Sequence, residues 1–147
     1  MSQENIEIVR AAYEQFNRYH RAKAGDDPAE VEAAWEAATD WLAPDLEYRE
    51  DPKFPGARTY RGLEEECRSV WNEYYEEFGK QTFEPQRFLD SGDQVVVIVR
   101  YSARGTSSGA AVEMNQGHLH TLGDGKIVKW EIYFNPQEAL KAAGLSE

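Results

Sequence analysis

The sequence predicts an α+β fold in which helices cover one face of an antiparallel sheet. Apolar residues recur at helical spacing in the first half of the chain, and three long strand-like runs fill residues 94–134. Strands that follow helices, rather than alternating with them, indicate this fold class. The short turns between the long runs indicate antiparallel pairing.

Length and charge restrict the functions that we expect. The chain has 147 residues and a formal net charge of −11, and its length suits one domain over residues 1–147. Nucleic acids and anionic membranes both need a basic surface, so the acidity predicts that the protein binds neither. The polar opening sequence MSQENIEIVR has no apolar run of a signal peptide, and we expect a cytoplasmic protein.

Four helices are predicted. The first covers residues 5–20 and carries an apolar stripe, and the third covers 63–78 and ends at Gly79. The second begins with Asp27 as its N-cap and is expected to end near Ala43, because a residue before proline is disfavoured in a helix. A short last helix begins at Pro136 and runs to residue 142. The single cysteine, Cys67, fits the core face of the third helix.

The strands are predicted from runs of β-branched and aromatic residues bounded by turn residues. Two short strands are expected at 46–50 and 82–89, with a loop between the first of them and the third helix. The long strands are expected at 94–105, 110–122 and 126–134, joined by turns at 105–109 and 123–125. We therefore expect a curved sheet whose concave face is covered by the helices.

Several short motifs, taken in order, resemble a known family. They are EDPKFPGARTYRG, LDSGDQVVVIVR, HTLGDGKIVKW and NPQEALKAAGL. Together they are similar to the SnoaL-like, or polyketide cyclase-like, branch of the nuclear transport factor 2-like superfamily. The resemblance implies a cone: a curved antiparallel sheet wrapped around three N-terminal helices, with a short C-terminal helix and an apolar cavity at the open end. Some members are enzymes, including ketosteroid isomerase and polyketide cyclases, whereas others only bind ligands, and many are homodimers.

The resemblance singles out Asp51 as a catalytic candidate. Ketosteroid isomerases carry their general-base aspartate in a similar Glu-Asp-Pro sequence, which is Glu50-Asp51-Pro52 here. A carboxylate at the mouth of an apolar cavity can move a proton when its surroundings disfavour the charged form. The alternative is a loop aspartate that caps a turn. Glu113 is the second catalytic candidate.

The remaining catalytic positions of the family match poorly. By resemblance, the tyrosine of the isomerase oxyanion hole falls near Ala12, and its aspartate falls near Gly117. Tyr13 is the adjacent candidate for a ligand contact, although one helical step turns a side chain by about 100°. The aspartate of the cyclases falls at Asn135. The resemblance therefore argues against steroid isomerisation and casts doubt on cyclase chemistry.

Strand alternation predicts the walls of the cavity. On the two outer long strands the expected ligand contacts are Val97, Val99, Tyr101, Trp130, Ile132 and Phe134; ordinary core packing is the alternative. On the middle strand we expect Leu119 to face inward, which brings Glu113 and Asn115 to the same face. A bulge at Gly117 would reverse that assignment.

His118 and His120 share the opposite face of the middle strand. A metal site needs a third ligand, and the sequence offers no strong one, so we expect no metal. We expect the two histidines to lie on the outer sheet face, at the contact of a homodimer. The expected apolar contact surface is Val96, Ile98, Met114, His118 and Ile127.

The sequence therefore predicts a protein with a pocket for a small apolar molecule. The leading hypothesis is an enzyme of the isomerase, cyclase or hydrolase type, which uses a carboxylate base on an apolar, oxygenated substrate without a cofactor. The alternatives are a non-enzymatic module that binds an apolar ligand, and a structural homodimer whose cavity is filled by Trp35, Trp41 and Phe16.

Overall fold

The computed structural model describes residues 2–104 and 109–145, which form four α-helices and six strands. The helices are α1 (Ser2–Ala24), α2 (Pro28–Thr39), α3 (Arg68–Phe78) and α4 (Pro136–Ala142), and a π-helical turn (Leu63–Cys67) leads into α3. The strands are β1 (Leu42–Arg49), β2 (Thr59–Arg61), β3 (Gln81–Ser91), β4 (Gln94–Arg104), β5 (Ala111–Gly123) and β6 (Lys126–Tyr133). The predicted α+β class and all four predicted helices are confirmed.

The strands form one sheet in the order β2-β1-β6-β5-β4-β3. The pairs β3–β4, β4–β5, β5–β6 and β1–β2 are antiparallel, as predicted, whereas β1 runs parallel to β6. The turn at 123–125 is confirmed: Asp124 and Gly125 both have positive φ, of 52° and 78°, which suits a two-residue hairpin. Most of the other predicted turn, at 105–108, lies outside the described residues.

The inner face of the sheet packs on the first three helices. Val95, Val97 and Val99 of β4 are fully buried there, as the alternation predicts. The aromatic rings of Phe16 and Trp71 reach the sheet and pack beside Trp130, with ring centroids 5.1 and 5.9 Å away. Large aromatic side chains each bury much apolar area. Phe16, Trp71 and Trp130 together fill the narrow end of the cone.

The boundary between α2 and β1 differs from the prediction. The helix ends at Thr39, and Leu42 already pairs with Ile127 of β6. Pro44 therefore lies in a strand, at a place where the register between β1 and β6 shifts between Leu42 and Glu47. A proline has no N–H for a ladder bond, so it is tolerated at such an irregularity. The short strand β2 lies in what we expected to be a loop.

The outer face of the sheet is partly covered by α4. Ala139 and Leu140 pack there on Val96 and Leu119. Gly117 lies directly beneath this helix, because a Cβ atom at this position would come within 2.6 Å of the Cβ of Ala139. The position that the resemblance assigns to an oxyanion-hole aspartate therefore faces α4 and has no room for a side chain.

This arrangement corrects the expected dimer surface. His118 and Ile127 are fully buried inside the cone, Met114 packs against the inner core, and Val96 is covered by α4. Ile127 faces inward because the β5–β6 register shifts between Thr121 and Leu122, and such a bulge reverses the alternation. The homodimer stays a prediction, but these residues do not form an exposed patch for it.

The helices of the described residues are too short or too polar to cross a lipid bilayer.

Candidate functional site

A pocket of about 420 Å³ opens at the wide end of the cone. Its walls come from β1, the loop after it, α3 and strands β3 to β6. Six aromatic side chains line it, which are Tyr48, Phe54, Tyr74, Phe78, Tyr101 and Phe134. Its polar wall residues are Glu50, Asp51, Glu77, Gln81 and Gln116. The volume lies in the usual range for a small-molecule site.

The structure divides the predicted wall residues into two groups. Tyr101, Ile132 and Phe134 line the pocket as expected. Val97, Val99 and Trp130 instead belong to the core beneath it. The difference arises because the helices fill the narrow end of the cone, so only the outer ends of the strands reach open space. The pocket is not lined by Trp35, Trp41 or Phe16. The hypothesis of a structural homodimer required these three side chains to fill the cavity, and they do not.

The expected orientation of the middle strand is wrong. Tyr101 pairs with Met114, Val99 with Gln116 and Val97 with His118, and directly paired residues share a face. Leu119 therefore faces outward and packs on α4. Asn115 and Glu113 also lie on the outer face, where both are exposed and contact Arg100. The β4–β5 register is unbroken, so no bulge at Gly117 is involved.

Asp51 lies in the pocket wall, 1% exposed. Its Oδ1 accepts the backbone N–H of Lys53, and its Oδ2 accepts that of Phe134, both at 2.8 Å. These bonds tie the loop after β1 to the end of β6. Lys53 also pairs with Glu138 of α4. Both carboxylate oxygens are thus engaged by the backbone, and Asp51 holds the rim of the pocket together.

Glu50 is the carboxylate that the sequence reasoning missed. It is 8% exposed and faces the pocket. One oxygen accepts the backbone N–H of Arg58 at 2.9 Å, and within the described residues the other oxygen accepts no hydrogen bond. Burial raises the pKa of Glu50, and the hydrogen bond from Arg58 partly opposes that rise. The sequence signal that could have identified Glu50 is strand alternation. Leu46 and Tyr48 are buried, and Arg49 points outward to Glu131. Glu50 therefore continues the inner face of β1.

A buried hydrogen-bond chain lies below the pocket. The hydroxyl oxygen of Tyr13 lies 2.6 Å from Nδ1 of His118 and 2.7 Å from Nε2 of His120. Nε2 of His118 lies 2.8 Å from Oε1 of Gln116, and Gln116 reaches the pocket wall. Both histidines are fully buried, so their expected place on the outer sheet face is wrong. The register with β4 turns them inward.

Trp130 fixes the positions of the protons in this chain. Its indole nitrogen is always a donor and lies 3.2 Å from Nδ1 of His118, so that nitrogen accepts. A neutral His118 therefore carries its proton on Nε2 and donates to Gln116. Tyr13 donates to the bare Nδ1 of His118, and its oxygen accepts from Nε2 of His120. The chain runs in one direction, from His120 through Tyr13 and His118 to Gln116.

The titratable members of the chain are uncharged near neutral pH. Burial raises the pKa of Tyr13 well above its usual 10.0. Burial also lowers the pKa of His118, and repulsion from His120 adds to that shift. The pKa of His120 falls to about 3, again through burial. Nδ1 of His120 has no partner within the described residues, and as the unprotonated nitrogen it is an unused acceptor.

Gln116 presents a fixed group to the pocket. Oε1 of Gln116 accepts from His118, so the amide nitrogen of Gln116 points away from His118. This nitrogen lies 3.4 Å from the sulfur of Met114. A thioether is a weak acceptor, so this N–H₂ group is available to a ligand. Tyr13 itself, 1% exposed, does not line the pocket; it acts on the site only through this chain.

His20 of α1 is also buried, and the helix extends beyond its predicted end at residue 20. The helix continues to Ala24, and His20 lies among Phe16, Tyr19 and Phe83. Neither ring nitrogen has a partner within the described residues. Burial lowers the pKa of His20 to about 3, and Lys23 contributes to that shift.

No group of three or more acidic, histidine or cysteine side chains within residues 2–104 and 109–145 has the arrangement of a metal site. Cys67 is buried, as predicted, and burial raises the pKa of its thiol to about 12. A thiol that stays protonated is a poor nucleophile. The polar groups of the pocket are therefore carboxylates, amides and phenols.

The fold agrees with the comparison of the sequence with known families. The SnoaL-like domain matches residues 9–130, which is most of the chain. The protein belongs to the SnoaL-like family, whose fold is that of the nuclear transport factor 2-like proteins and includes cyclases and isomerases. A search of curated proteins found no match.

Solved structures share the whole fold. One is a nuclear transport factor 2-like protein of unknown function from Burkholderia pseudomallei, with a TM-score of 0.72 and 20% identity over 96% of this chain and 97% of that chain. TerC co-crystallised with polyporic acid has a TM-score of 0.71 and 19% identity over 96% of this chain and 98% of that chain. A Jannaschia protein that is assigned to the SnoaL-like polyketide cyclases has a TM-score of 0.69 and 17% identity over 100% of this chain and 96% of that chain.

Proposed function

We propose that the protein is an enzyme that moves a proton on a small apolar, oxygenated molecule held in the pocket, without a cofactor. The observation that carries this proposal is the position of Glu50, a buried carboxylate that faces an aromatic pocket and makes one hydrogen bond within the described residues, to the backbone. A group that is buried in a cleft with a shifted pKa is a candidate for acid–base catalysis.

The chemistry that fits these groups is proton abstraction next to a carbonyl group. The carboxylate of Glu50 takes the proton from carbon, and the electron pair of the C–H bond moves toward the carbonyl oxygen. The N–H₂ group of Gln116 donates to that oxygen as negative charge develops on it. Glu50 then returns the proton to another carbon or to the oxygen, so that the reaction is an isomerisation.

Asp51 has a positioning role in this proposal. Its carboxylate contacts are with backbone N–H groups: the two oxygens hold the loop after β1 and the end of β6. Glu50 is the neighbouring residue, so the loop geometry that Asp51 fixes also sets the direction of the Glu50 carboxylate. Glu113 lies on the outer face and has no place in the reaction.

The comparisons support a pocket for oxygenated ring compounds. Polyporic acid is the compound co-crystallised with TerC, and the Jannaschia protein is assigned to the SnoaL-like polyketide cyclases. Six aromatic rings around the pocket suit a planar, apolar ligand of this kind. The position of the cyclase aspartate holds Asn135 here, whose side chain caps α4 by accepting the N–H of Gln137, so this proposal rests on Glu50 instead.

The test is proton exchange on an aromatic ketone. Wild-type protein is incubated with 2-tetralone in D₂O, and loss of the α-proton signal is followed by NMR. We expect exchange above the buffer rate, and Glu50→Gln lowers the excess rate by a factor on the order of 10²–10⁴. Glu113→Gln is the matched control, because it makes the same change on the outer face and leaves exchange unaltered. Exchange that is equally fast in Glu50→Gln would overturn the role of Glu50.

A binding module without catalysis is the second candidate function. The engagement of both Asp51 oxygens by the backbone favours it, because the aspartate at the base position of ketosteroid isomerases is not free here. Tight binding of the ketone without exchange above the buffer rate would support this alternative. Mass spectrometry of compounds that co-purify with the protein supplies better ligands for both experiments.

A further inference from the structure

The charged side chains that line the pocket all have the same sign. They are Glu50, Asp51 and Glu77, and no lysine, arginine or histidine lines the pocket among the described residues. Residues 105–108, which the structure does not describe, have the sequence Gly-Thr-Ser-Ser and carry no charge. An unneutralised set of carboxylates in an apolar cavity attracts a cation.

The nearest basic side chains have other partners. Arg58 gives Glu50 its backbone N–H, but its guanidinium group lies over the ring of Tyr60, 5.3 Å from the centroid. Lys53 beside Asp51 pairs with Glu138 on α4. Glu77 is exposed at the mouth, and no ion pair within the described residues includes it. Arg58 and Lys53 still act on the charges of Glu50 and Asp51, so Glu77 is the carboxylate whose charge is most available to a ligand.

The aromatic walls suit the same kind of ligand. Tyr74 and Phe78 belong to the helix that carries Glu77, and two further wall residues, Phe54 and Phe134, pack on each other with ring centroids 5.7 Å apart. Aromatic faces attract cations, and rings arranged around a pocket are a known way of binding quaternary ammonium groups. Carboxylates together with aromatic faces therefore recognise an organic ammonium ion better than a metal ion, which needs several oxygen ligands.

We propose that the substrate carries a protonated or quaternary amine on its apolar body. The ammonium group lies at the mouth, between Glu77 and the rings of Tyr74, Phe78 and Phe134. The apolar body extends inward toward Glu50 and Gln116. This proposal rests on the proposed function in that it uses the same pocket, and it adds the charge of the substrate. It replaces the expectation of an uncharged apolar ligand.

Three probes of similar shape and different charge test the proposal. They are phenyltrimethylammonium, tert-butylbenzene and benzenesulfonate, and their affinities are measured by tryptophan fluorescence and calorimetry at low and physiological salt. We expect the cation to bind about 2- to 30-fold more tightly than the neutral compound, and the anion to bind more weakly than both. Added salt should weaken the cation more than the neutral compound.

Two variants of α3 locate the charge effect. Glu77→Gln should lower the affinity for the cation about 3- to 10-fold and leave that for tert-butylbenzene unchanged. Glu73→Gln is the matched control, because this residue is exposed one helical turn earlier and does not line the pocket. It should change neither affinity by more than about twofold.

The outcomes separate this proposal from the proposed function. If tert-butylbenzene binds as tightly as the cation, or if Glu77→Gln and Glu73→Gln weaken the cation equally, the ammonium proposal is overturned and the pocket remains a ligand site. If none of the three probes binds to folded protein, both proposals fail. Tighter binding of the anion than of the cation would also overturn the ammonium proposal.

Discussion

The hydroxyl oxygen of Tyr13 lies 2.6 Å from Nδ1 of His118. This contact joins the first helix to the centre of the sheet, and the tryptophan N–H on the same nitrogen fixes which atom donates. The result is a histidine tautomer whose other nitrogen holds Gln116 in one orientation. A contact in the core therefore determines which polar group the pocket presents.

Tyr13→Phe tests the energy of this chain. The change removes one hydroxyl group, which leaves Nε2 of His120 without a partner and Nδ1 of His118 with Trp130 alone. We therefore expect the free energy of unfolding to fall by about 1–3 kcal/mol. Urea unfolding at pH 7.5 measures it. Tyr60→Phe is the control, because the hydroxyl of Tyr60 makes no hydrogen bond within the described residues. Equal stability of the two variants would mean that the chain contributes nothing.

Acid should destabilise the protein through its three buried histidines. The pKa of His20 and that of His120 are about 3, and the pKa of His118 is also lowered, whereas an unfolded histidine titrates near 6.5. Protonation thus favours the unfolded chain. The stability is fully present above pH 6.5 and declines as the pH falls from 6.5 toward 3.

The expected slope is about 1.4 kcal/mol per pH unit for each histidine. Glu50, whose pKa is raised in the folded protein, opposes this trend as the pH falls from that raised pKa to the lower pKa of the unfolded chain. Urea unfolding between pH 7.5 and 5 measures the slope. His20→Leu removes one titrating group that has no hydrogen bond and should reduce the slope by about one third. A stability that is constant over this range would contradict the burial of the histidines.

Asp51→Asn should destabilise the rim, although it preserves the shape of the side chain. Each carboxylate oxygen accepts a backbone N–H, and an amide offers only one oxygen. The amide nitrogen of the variant would face another donor, so we expect a loss of about 1–3 kcal/mol in urea unfolding. Asp45→Asn, which changes an exposed aspartate of β1, is the control and should be nearly neutral. A loss no larger than that of the control would show that the two N–H bonds are unimportant.

Gln116→Leu separates the structural and functional roles of the amide. The variant leaves the buried N–H of His118 unpaired, so stability should fall by about 1–3 kcal/mol. If the amide nitrogen stabilises the developing oxyanion, ketone exchange should fall by a factor of about 10²–10³. The rate is measured at a temperature at which the variant remains folded by circular dichroism. An unchanged rate would remove Gln116 from the proposed reaction.

Most of the fold could be predicted from the sequence because its signals are local. The N-cap at Asp27, the Asp124-Gly125 turn and the Pro136 helix start each depend on neighbouring residues. The parallel pairing of β1 with β6 could not be predicted in this way, because it joins residues about eighty positions apart and no turn specifies it. The register of β5 also escaped prediction, since both of its faces carry apolar and polar residues.

The site was predicted only in part for the same reason. Tyr101, Ile132 and Phe134 follow from alternation near the ends of strands. The helices fill the cone to a certain depth, and that depth decides which strand residues lie in the pocket and which lie in the core. The sequence alone does not specify how far the helices reach. The choice between Glu50 and Asp51 depended on whether alternation continues past Arg49, and only the hydrogen bonds of Asp51 decide it.

The titration of Glu50 is the most direct test of the central claim that a buried carboxylate faces a ligand pocket. Its side-chain carboxyl carbon is followed by ¹³C NMR and assigned with Glu50→Gln, in free protein and in protein saturated with tert-butylbenzene. We expect a pKa above the usual 4.5, and a further rise when the apolar compound excludes water. A pKa at or below 4.5 that is unchanged by a saturating ligand would contradict the account.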